Sequence, residues 1–264
     1  MKNLWKDIDN VKELISRKSF IILFLDFDGT ISPIVSSPEK AKINPKIKEL
    51  LKEFSKSSKV SPVIISGRSL EDLQQKIYSK VVSLAANHGL EWVLDGKYEH
   101  VSLKPQYLHS LKSVKLLAKN LKKLFPKIII EDKKLSIALH YRSLDNRQTV
   151  NLKSQFKEII KKYTDTNLLE VIYGKKVFDI RPAISWTKGN LAKLIVSNIT
   201  ANKGKNSLII CIGDDETDED MFKKFEKEIT IRVGKKNDSK SKYYVSSVYE
   251  IVKFLQLIMK SSMV

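Results

Sequence analysis

Four short apolar runs, separated by amphipathic stretches, most constrain what this chain can fold into. Each run is six residues long, rich in branched side chains and bounded by polar residues or glycine; the runs are residues 20–25, 60–65, 81–86 and 207–212. Such runs are typical of strands buried on both faces of a parallel sheet. Between them apolar residues recur at helical spacing, as Leu70, Leu73 and Ile77 do. The alternation predicts an α/β protein with a Rossmann-like parallel-sheet core.

The segment from Pro105 to Pro182 has a different pattern. Its apolar residues predict a helix, two strands, a second helix and two further strands, in that order. This order is typical of an α+β unit inserted into the parallel-sheet domain. We therefore expect a core formed by residues 1–103 and 181–264, and an inserted α+β domain at residues 104–180.

The composition is that of an ordinary globular protein. The chain has 264 residues, of which 42% are hydrophobic and 30% charged, which suffices for one large or two modest domains. The single cysteine, Cys211, excludes an intramolecular disulfide framework and a cysteine-built zinc site. No apolar run approaches the ~18 residues that cross a membrane. The N-terminus mixes acidic and basic residues and does not resemble a signal peptide, so we expect a cytoplasmic protein without membrane association.

The net charge of +18 raises the question of nucleic-acid binding. Only six of the 48 basic residues are arginine, the residue on which bidentate base recognition depends. The lysines are scattered along the whole chain and form no basic arm. We therefore expect no specific nucleic-acid partner. The excess of positive charge foremost reflects a lysine-rich composition, and this charge would also attract a small anionic substrate.

The most specific chemical feature is the sequence DFDGT at residues 26–30, directly after the first apolar run. Because Asp26 and Asp28 are two residues apart on an extended chain, their carboxylates point to the same side. Gly29 allows the backbone to turn after them. The carboxyl end of a strand is where α/β sheets bind ligands. One carboxylate can act there as a nucleophile while the other carries a proton.

A second acidic segment, GDDETDED at residues 213–220, follows the last apolar run. Six of its eight residues are acidic, and so many carboxylates repel one another unless a cation is near. Hard oxygen ligands without a nearby histidine or cysteine favour magnesium over zinc. Asp214 and Asp215 are the strongest candidates because they come directly after the strand. Glu216, Glu219 and Asp220 fit a solvated loop before a helix.

Two smaller features can bind an anion. Ser66, Gly67 and Arg68 follow the second apolar run, where a hydroxyl and glycine-turn amides at a helix start form a small anion site. Arg68 could bind phosphate or brace the acidic cluster. Lys188 enters a predicted helix and offers a compact positive charge for a phosphate.

The aspartate pair, serine, lysine and acidic cluster, in this order, resemble the motifs of the haloacid dehalogenase superfamily, and of its phosphatase branch in particular. The resemblance implies that Asp26 attacks phosphorus and forms an aspartyl-phosphate. Asp28 would protonate the leaving oxygen and then activate water. Ser66 and Lys188 would hold the phosphoryl oxygens.

The same resemblance implies a magnesium ion as cofactor. Asp26, Asp214 and the backbone carbonyl of Asp28 would bind it, while Asp215 and Asp218 would support its water shell. Together with Lys188, the ion would neutralise charge on the phosphoryl group during transfer.

Several segments resemble the trehalose-6-phosphate phosphatases in particular: NHGLE at 87–91, Glu131 and Lys133 before HYR at 140–142, GKKV at 174–177, Arg181-Pro182, and GDDETDEDMF at 213–222. The resemblance spans residues ~20 to ~235 and implies that the insert is the cap domain that selects the substrate. Trehalose 6-phosphate would then be bound by residues of the core loops and the insert: Gly67, Arg68, Asn87, His88, Glu131, Lys133, Arg142, Lys176 and Asp179.

One residue departs from the family pattern. The family usually has a glutamate where this chain has Asp179, whose reach is shorter by about one methylene group. This keeps open a phosphatase for another sugar phosphate, of the sucrose, glucosylglycerol or mannosylglycerate type. A non-catalytic sugar-phosphate sensor is a further alternative, although a sensor has no need of both Asp26 and Asp28. A separate trehalose-phosphate synthase is a conceivable partner.

Overall fold

The computed structural model of the chain describes residues 1–35, 38–77, 82–203 and 206–262. The strands are β1 (Lys2–Asn3), β2 (Phe20–Leu25), β3 (Val60–Ile65), β4 (Ser83–Ala86), β5 (Glu91–Leu94), β6 (Lys97–His100), β7 (Ile129–Asp132), β8 (Ile137–His140), β9 (Leu169–Gly174), β10 (Val177–Pro182), β11 (Ser207–Gly213), β12 (Ile229–Val233) and β13 (Tyr243–Val245). The α-helices are α1 (Ile8–Ser16), α2 (Pro45–Lys56), α3 (Leu70–Lys76), α4 (Pro105–Leu124), α5 (Asn146–Asp165), α6 (Lys188–Lys203), α7 (Glu219–Lys224) and α8 (Val248–Ser262).

The chain divides into two compact units, one formed by residues 1–99 and 186–264 and the other by residues 100–185. Among the described residues, the strands of the first unit form one nine-stranded sheet in the order β1-β13-β12-β11-β2-β3-β4-β5-β6. The pairs from β1 to β4 along this order are parallel, and β4 and β5 pair antiparallel. Parallel neighbours that are distant in sequence require crossover connections, which the helices provide.

Strand β2 lies in the middle of this sheet and is buried along its whole length. Ile21, Leu23 and Leu25 belong to a core cluster that includes side chains of α1, α2 and α8. On the opposite face, Phe24 stacks on Phe225, with ring centroids 6.1 Å apart. Because both faces are covered, every residue of this strand must be apolar, and burial of each large side chain contributes roughly 1.5–3 kcal/mol.

Two helices of the first unit begin at side-chain caps. The Asn44 side chain accepts a hydrogen bond from the Lys46 amide (3.0 Å), and Pro45 occupies the first helical position of α2. The Ser69 hydroxyl accepts one from the Asp72 amide (3.2 Å) at the start of α3. Such caps each stabilise a helix by about 1 kcal/mol and fix where it begins.

The second unit has an antiparallel sheet in the order β7-β8-β10-β9, with α4 and α5 packed on one face. Phe178 is central to this packing, since its ring lies 4.1 Å from that of Phe156 and 4.7 Å from that of Tyr141, centroid to centroid. The register places Glu131, Ala138 and Asp179 side by side across three strands, on the face opposite Phe178. One face of this sheet is therefore apolar and the other carries charged side chains.

The predicted fold class is confirmed, and the middle of the chain has the expected order α4-β7-β8-α5-β9-β10. Three of the four apolar runs are β2, β3 and β11, while the third overlaps β4 and begins at Val81, which lies outside the described residues. The patterns missed β1, β5, β6, β12 and β13; of these, β6 has four residues that are all exposed. Within the described ranges, no α-helix is both long enough and apolar enough to span a membrane.

Candidate active site

Three of the predicted catalytic and metal-binding residues directly follow neighbouring parallel strands of the first unit. Asp26 comes directly after β2, Ser66 directly after β3 and Asp214 directly after β11. These strands are adjacent in the order β11-β2-β3, and the Asp26 amide donates to the Ile212 carbonyl at 2.9 Å. Their carboxyl ends therefore meet at one edge of the sheet, where α/β folds bind ligands.

Lys188 is buried at this edge between two carboxylates. Its Nζ donates to Asp26 Oδ1 at 2.8 Å and to Asp218 Oδ1 at 2.9 Å, and all three side chains are at most 6% exposed. Burial alone would lower the pKa of Lys188, but the two carboxylates outweigh it and raise the pKa well above its ordinary value. Lys188 is thus held as a cation beside the predicted nucleophile.

Burial, together with the nearby Asp218 and Asp214, raises the pKa of Asp26 well above its ordinary value, and Lys188 only partly opposes this. The pKa of Asp214 is raised to about 7 by burial and by Asp218 and Asp215. The negative charge of the carboxylates at this edge therefore exceeds the positive charge of the side chains among them. A bound cation would remove the imbalance.

Asp218 organises the loop that carries the acidic segment. Its Oδ2 accepts hydrogen bonds from the amides of Asp214 (3.0 Å) and Asp215 (3.1 Å), while its Oδ1 accepts from Lys188. Residue 213, directly before Asp214, must be a glycine, because a Cβ on Gly213 would lie 2.2 Å from the Asp218 Cγ. Both oxygens of Asp218 are thus used to hold the loop and the lysine.

Carboxylate oxygens of Asp26, Asp214 and Asp218 lie within 4.8 Å of one another and could hold a metal ion. The structure does not bring the side chains of Asp28 and Asp215 into this group. Asp215 Oδ1 instead accepts from the Thr217 amide (2.9 Å) and hydroxyl (2.7 Å). Burial would raise the pKa of Asp215, but Lys188 and the Thr217 hydrogen bond outweigh it and lower the pKa to about 2.

The Asp28 carboxylate is bound by Arg68. Nε donates to Asp28 Oδ2 and Nη2 donates to Asp28 Oδ1, each at 2.7 Å, so the pair is bidentate. The Asp28 side chain is 45% exposed and that of Arg68 only 10%. Of the two roles that the sequence left open for Arg68, this geometry favours bracing an aspartate.

Ser66, Gly67, Asn87 and His88 lie in two loops that contact each other. The His88 amide donates to the Ser66 carbonyl at 3.0 Å, and a Cβ on Gly67 would lie 2.3 Å from His88 Cε1. Ser66 is buried and its hydroxyl accepts from the Arg68 amide at 3.3 Å. The Asn87 side chain is also buried and donates to Glu91 Oε1 at 2.6 Å, which gives this residue a bracing contact within the loop.

Three predicted residues of the second unit, Glu131, Lys133 and Asp179, lie in two side-chain contacts on its polar sheet face. Lys133 Nζ lies 2.8 Å from Asp179 Oδ2, and both residues are buried. Glu131 Oε2 lies 3.1 Å from His140 Nε2. Burial would raise the pKa of Glu131, but the His140 contact and Lys133 outweigh it and lower the pKa below its usual value.

Arg142 and Lys176 lie at the end of the same sheet. Arg142 is exposed, and its Nη2 donates to the Lys175 carbonyl at 3.4 Å. Lys176 has a φ of 66° in the turn between β9 and β10, and its Nζ lies 5.9 Å from the centre of the Tyr141 ring.

Sequence reasoning missed several residues that support the site. Arg232 Nη1 donates to the Asp215 carbonyl (3.0 Å) and to Glu219 Oε1 (2.9 Å), which braces the acidic loop from β12. Asp72 accepts from Arg68 Nη1 at 2.6 Å. A spacing of four residues at the start of a helix is a signal that could have indicated the Arg68–Asp72 contact.

Solved structures of known proteins have the same fold. The C-terminal domain of Candida albicans trehalose-6-phosphate phosphatase superposes with a TM-score of 0.79 at 23% identity, covering 96% of both chains. A sugar phosphatase of the haloacid dehalogenase superfamily superposes with a TM-score of 0.58 at 16% identity, covering 90% of this chain and 98% of its own. These superpositions show that this chain has the fold of those two proteins.

The sequence matches the trehalose-phosphatase family over residues 24–249. Trehalose-phosphate phosphatase B of Arabidopsis thaliana is 28% identical over 255 residues, which cover 91% of this chain and 66% of the plant protein. The chain thus spans about two thirds of the length of that relative. It belongs to the trehalose-phosphatase family, a family of phosphatases.

Proposed function

We propose that the protein is a magnesium-dependent phosphatase that hydrolyses trehalose 6-phosphate to trehalose and phosphate. The match to the trehalose-phosphatase family over residues 24–249 carries this proposal. The geometry supports it, because Asp26 lies beside the cation of Lys188 at the carboxyl edge of the sheet. A phosphoryl group needs such a charge next to its nucleophile.

In the first step, a carboxylate oxygen of Asp26 attacks phosphorus and forms an aspartyl-phosphate. The bond between phosphorus and the sugar oxygen breaks, and the carboxyl proton of Asp28 goes to that oxygen, so that the sugar leaves as a neutral alcohol. Lys188 Nζ, 2.8 Å from Asp26 Oδ1, stabilises the negative charge of the transferring group. Ser66 would hold one of the phosphoryl oxygens.

In the second step, water hydrolyses the aspartyl-phosphate. Asp28 now takes a proton from the attacking water, the bond between phosphorus and the Asp26 oxygen breaks, and phosphate leaves. Both carboxyl groups return to their starting protonation states. A single residue can act first as acid and then as base because the two steps are chemical mirror images.

The donor set fits magnesium. Asp26 and Asp214 supply carboxylate oxygens at the crowded acidic edge, neither histidine nor cysteine belongs to the cluster, and magnesium prefers such hard ligands. Asp26, Asp214 and the Asp28 carbonyl would hold the ion, with Asp218 and Asp215 behind them. When bound, it supplies positive charge that neutralises the phosphoryl oxygens.

We assign recognition of the sugar to the inserted domain of residues 104–180. Its polar sheet face presents convergent donors and acceptors in Glu131, Lys133 and Asp179. Sugar hydroxyls require such groups, and a sugar that leaves them unpaired binds poorly. Arg142 and Lys176 would contribute further donors. We place the reaction in the cytoplasm, with a trehalose-phosphate synthase as the source of the substrate.

The test is phosphate release with magnesium from four substrates: trehalose 6-phosphate, glucose 6-phosphate, sucrose 6-phosphate and mannosyl-3-phosphoglycerate. We expect strong preference for trehalose 6-phosphate, loss of activity in Asp26→Asn and on chelation of the metal, and full activity in the exposed control Asp165→Asn. Preference for another sugar would retain the mechanism and reject the substrate. Absence of turnover with retained binding of trehalose 6-phosphate, measured by calorimetry, would favour a sensor.

A further inference from the structure

Besides Asp28, the Arg68 guanidinium contacts three further groups of the protein. Its Nη1 donates to Asp72 Oδ2 at 2.6 Å and to the Pro38 carbonyl at 3.1 Å. Its guanidinium carbon lies 5.0 Å from the centre of the buried Phe27 ring. Together with the two contacts to Asp28, four of the five guanidinium N–H groups are used inside the protein. At most one remains for a substrate phosphate.

Asp72 is itself a fixed partner. It lies in the first turn of α3, where its amide donates to the Ser69 hydroxyl that caps the helix. Lys76, one turn further along α3, lies 3.4 Å from Asp72 Oδ1. The guanidinium of Arg68 is therefore anchored to a helix start, while the carboxylate that it holds is half exposed.

We infer that Arg68 is a positioning residue that orients the Asp28 carboxyl group for proton transfer, with Asp72 as its anchor, and is not a ligand of the substrate phosphate. This inference rests on the proposed function, in which Asp28 moves the proton. The two contacts with Arg68 use two of about four lone-pair sites of the carboxylate, so each oxygen keeps a site for the proton. The planar guanidinium donates two parallel hydrogen bonds and thereby fixes the plane of the carboxyl group, whereas the ammonium group of a lysine cannot.

The chemistry of the leaving group distinguishes a residue that positions Asp28 from one that binds the substrate phosphate. A sugar alkoxide is a poor leaving group and needs a proton as the phosphorus–oxygen bond breaks, whereas 4-nitrophenolate and acetate leave without one. The ratio kcat/KM reports the steps up to that bond cleavage. A misoriented Asp28 therefore lowers kcat/KM for a sugar phosphate and spares 4-nitrophenyl phosphate and acetyl phosphate. Loss of a phosphate ligand, or a distorted fold, lowers kcat/KM for all three.

The experiment measures kcat/KM on trehalose 6-phosphate, 4-nitrophenyl phosphate and acetyl phosphate, with magnesium, for the full chain. For Arg68→Lys we expect a loss of roughly 100-fold on trehalose 6-phosphate, the lower end of what a general acid contributes, and a change within about threefold on the other two. Asp28→Asn serves as the reference and shows the same selectivity. The exposed Arg17→Gln, whose side chain is 70% exposed, is the matched control and leaves all three values unchanged.

Asp72→Asn keeps the Arg68 side chain and weakens its anchor. We expect a smaller loss with the same selectivity, about 3- to 10-fold on trehalose 6-phosphate alone. This variant decides the question if Arg68→Lys does not fold. Equal losses on all three substrates in either folded variant would overturn the inference.

Failure of the proposed function is visible separately, in the wild type. If another sugar phosphate is the preferred substrate, it replaces trehalose 6-phosphate in the experiment. The inference is then tested by the loss of kcat/KM on that sugar phosphate, compared with the loss on 4-nitrophenyl phosphate and acetyl phosphate. A wild type that hydrolyses no phosphate ester would overturn both.

Discussion

Lys188 Nζ lies 2.8 Å from Asp26 Oδ1 and joins the first residue of α6 to the end of β2, 162 positions apart in the sequence. The lysine also contacts Asp218, and all three groups are buried. An ion pair of this kind replaces water around charges that the fold has desolvated. Removal of one partner leaves the others uncompensated.

We therefore expect Lys188→Met to destabilise the metal-free protein by about 3 kcal/mol, because two buried carboxylates lose their cation. Urea unfolding at pH 8 measures this free energy. The exposed pair Lys161–Asp165 offers a matched control, and Lys161→Met changes stability by less than about 0.5 kcal/mol. A loss below about 1 kcal/mol in Lys188→Met would show that the buried lysine does not stabilise the fold.

The crowded carboxylates predict an unusual dependence of stability on pH. Burial, with Asp218 and Asp215, raises the pKa of Asp214 to about 7, and burial and Asp215 raise that of Asp218 to about 6 against the opposing effect of Lys188. The folded protein then binds more protons than the unfolded chain between about pH 4 and pH 7, so its stability falls as the pH rises through this window.

We expect the metal-free protein to be less stable at pH 8 than at pH 5.5 by about 1–3 kcal/mol, measured by urea unfolding at both values. Magnesium at pH 8 restores the lost stability. Asp214→Asn flattens the dependence because it removes one of the titrating groups. Stability that is equal at the two pH values, or higher at pH 8, would contradict the assignment.

The sequence predicted those parts of the site that follow directly from a buried strand. Asp26, Ser66 and Asp214 could be located because an apolar run ends immediately before each of them, and neighbouring parallel strands place their ends together. The contact between Arg68 and Asp28 could not be predicted, because a long side chain can reach several partners and the sequence does not specify its rotamer. Strand β6 was missed because its exposed residues show no periodic burial.

Two glycines with positive φ allow a test of the acidic edge. Gly29 has a φ of 81° and Gly96 a φ of 77°, so alanine is strained at both. A Cβ at Gly29 would lie 2.1 Å from Asp214 Oδ2, whereas a Cβ at Gly96 would have no atom within 4 Å among the described residues. Gly29→Ala must therefore displace the Asp214 carboxylate, and Gly96→Ala displaces nothing.

We expect both variants to lose about 1 kcal/mol of stability without metal. Only Gly29→Ala then loses the increase in melting temperature that magnesium produces, together with roughly 10–100-fold of its activity. Thermal unfolding with and without magnesium, beside phosphate release, measures both effects. An undiminished magnesium response in Gly29→Ala would exclude Asp214 from the metal site.

The buried Lys133–Asp179 pair predicts how the second unit responds to loss of a charge. Asp179→Asn leaves the lysine without its carboxylate, so we expect the KM for trehalose 6-phosphate to rise roughly 10-fold or more, because a misplaced lysine no longer meets the sugar hydroxyls. The kcat/KM for 4-nitrophenyl phosphate, which has no sugar to recognise, stays within about threefold. Asp165→Asn, at an exposed pair, is the control. If Asp179→Asn lowered kcat/KM equally on both substrates, the pair would support the fold and not the sugar.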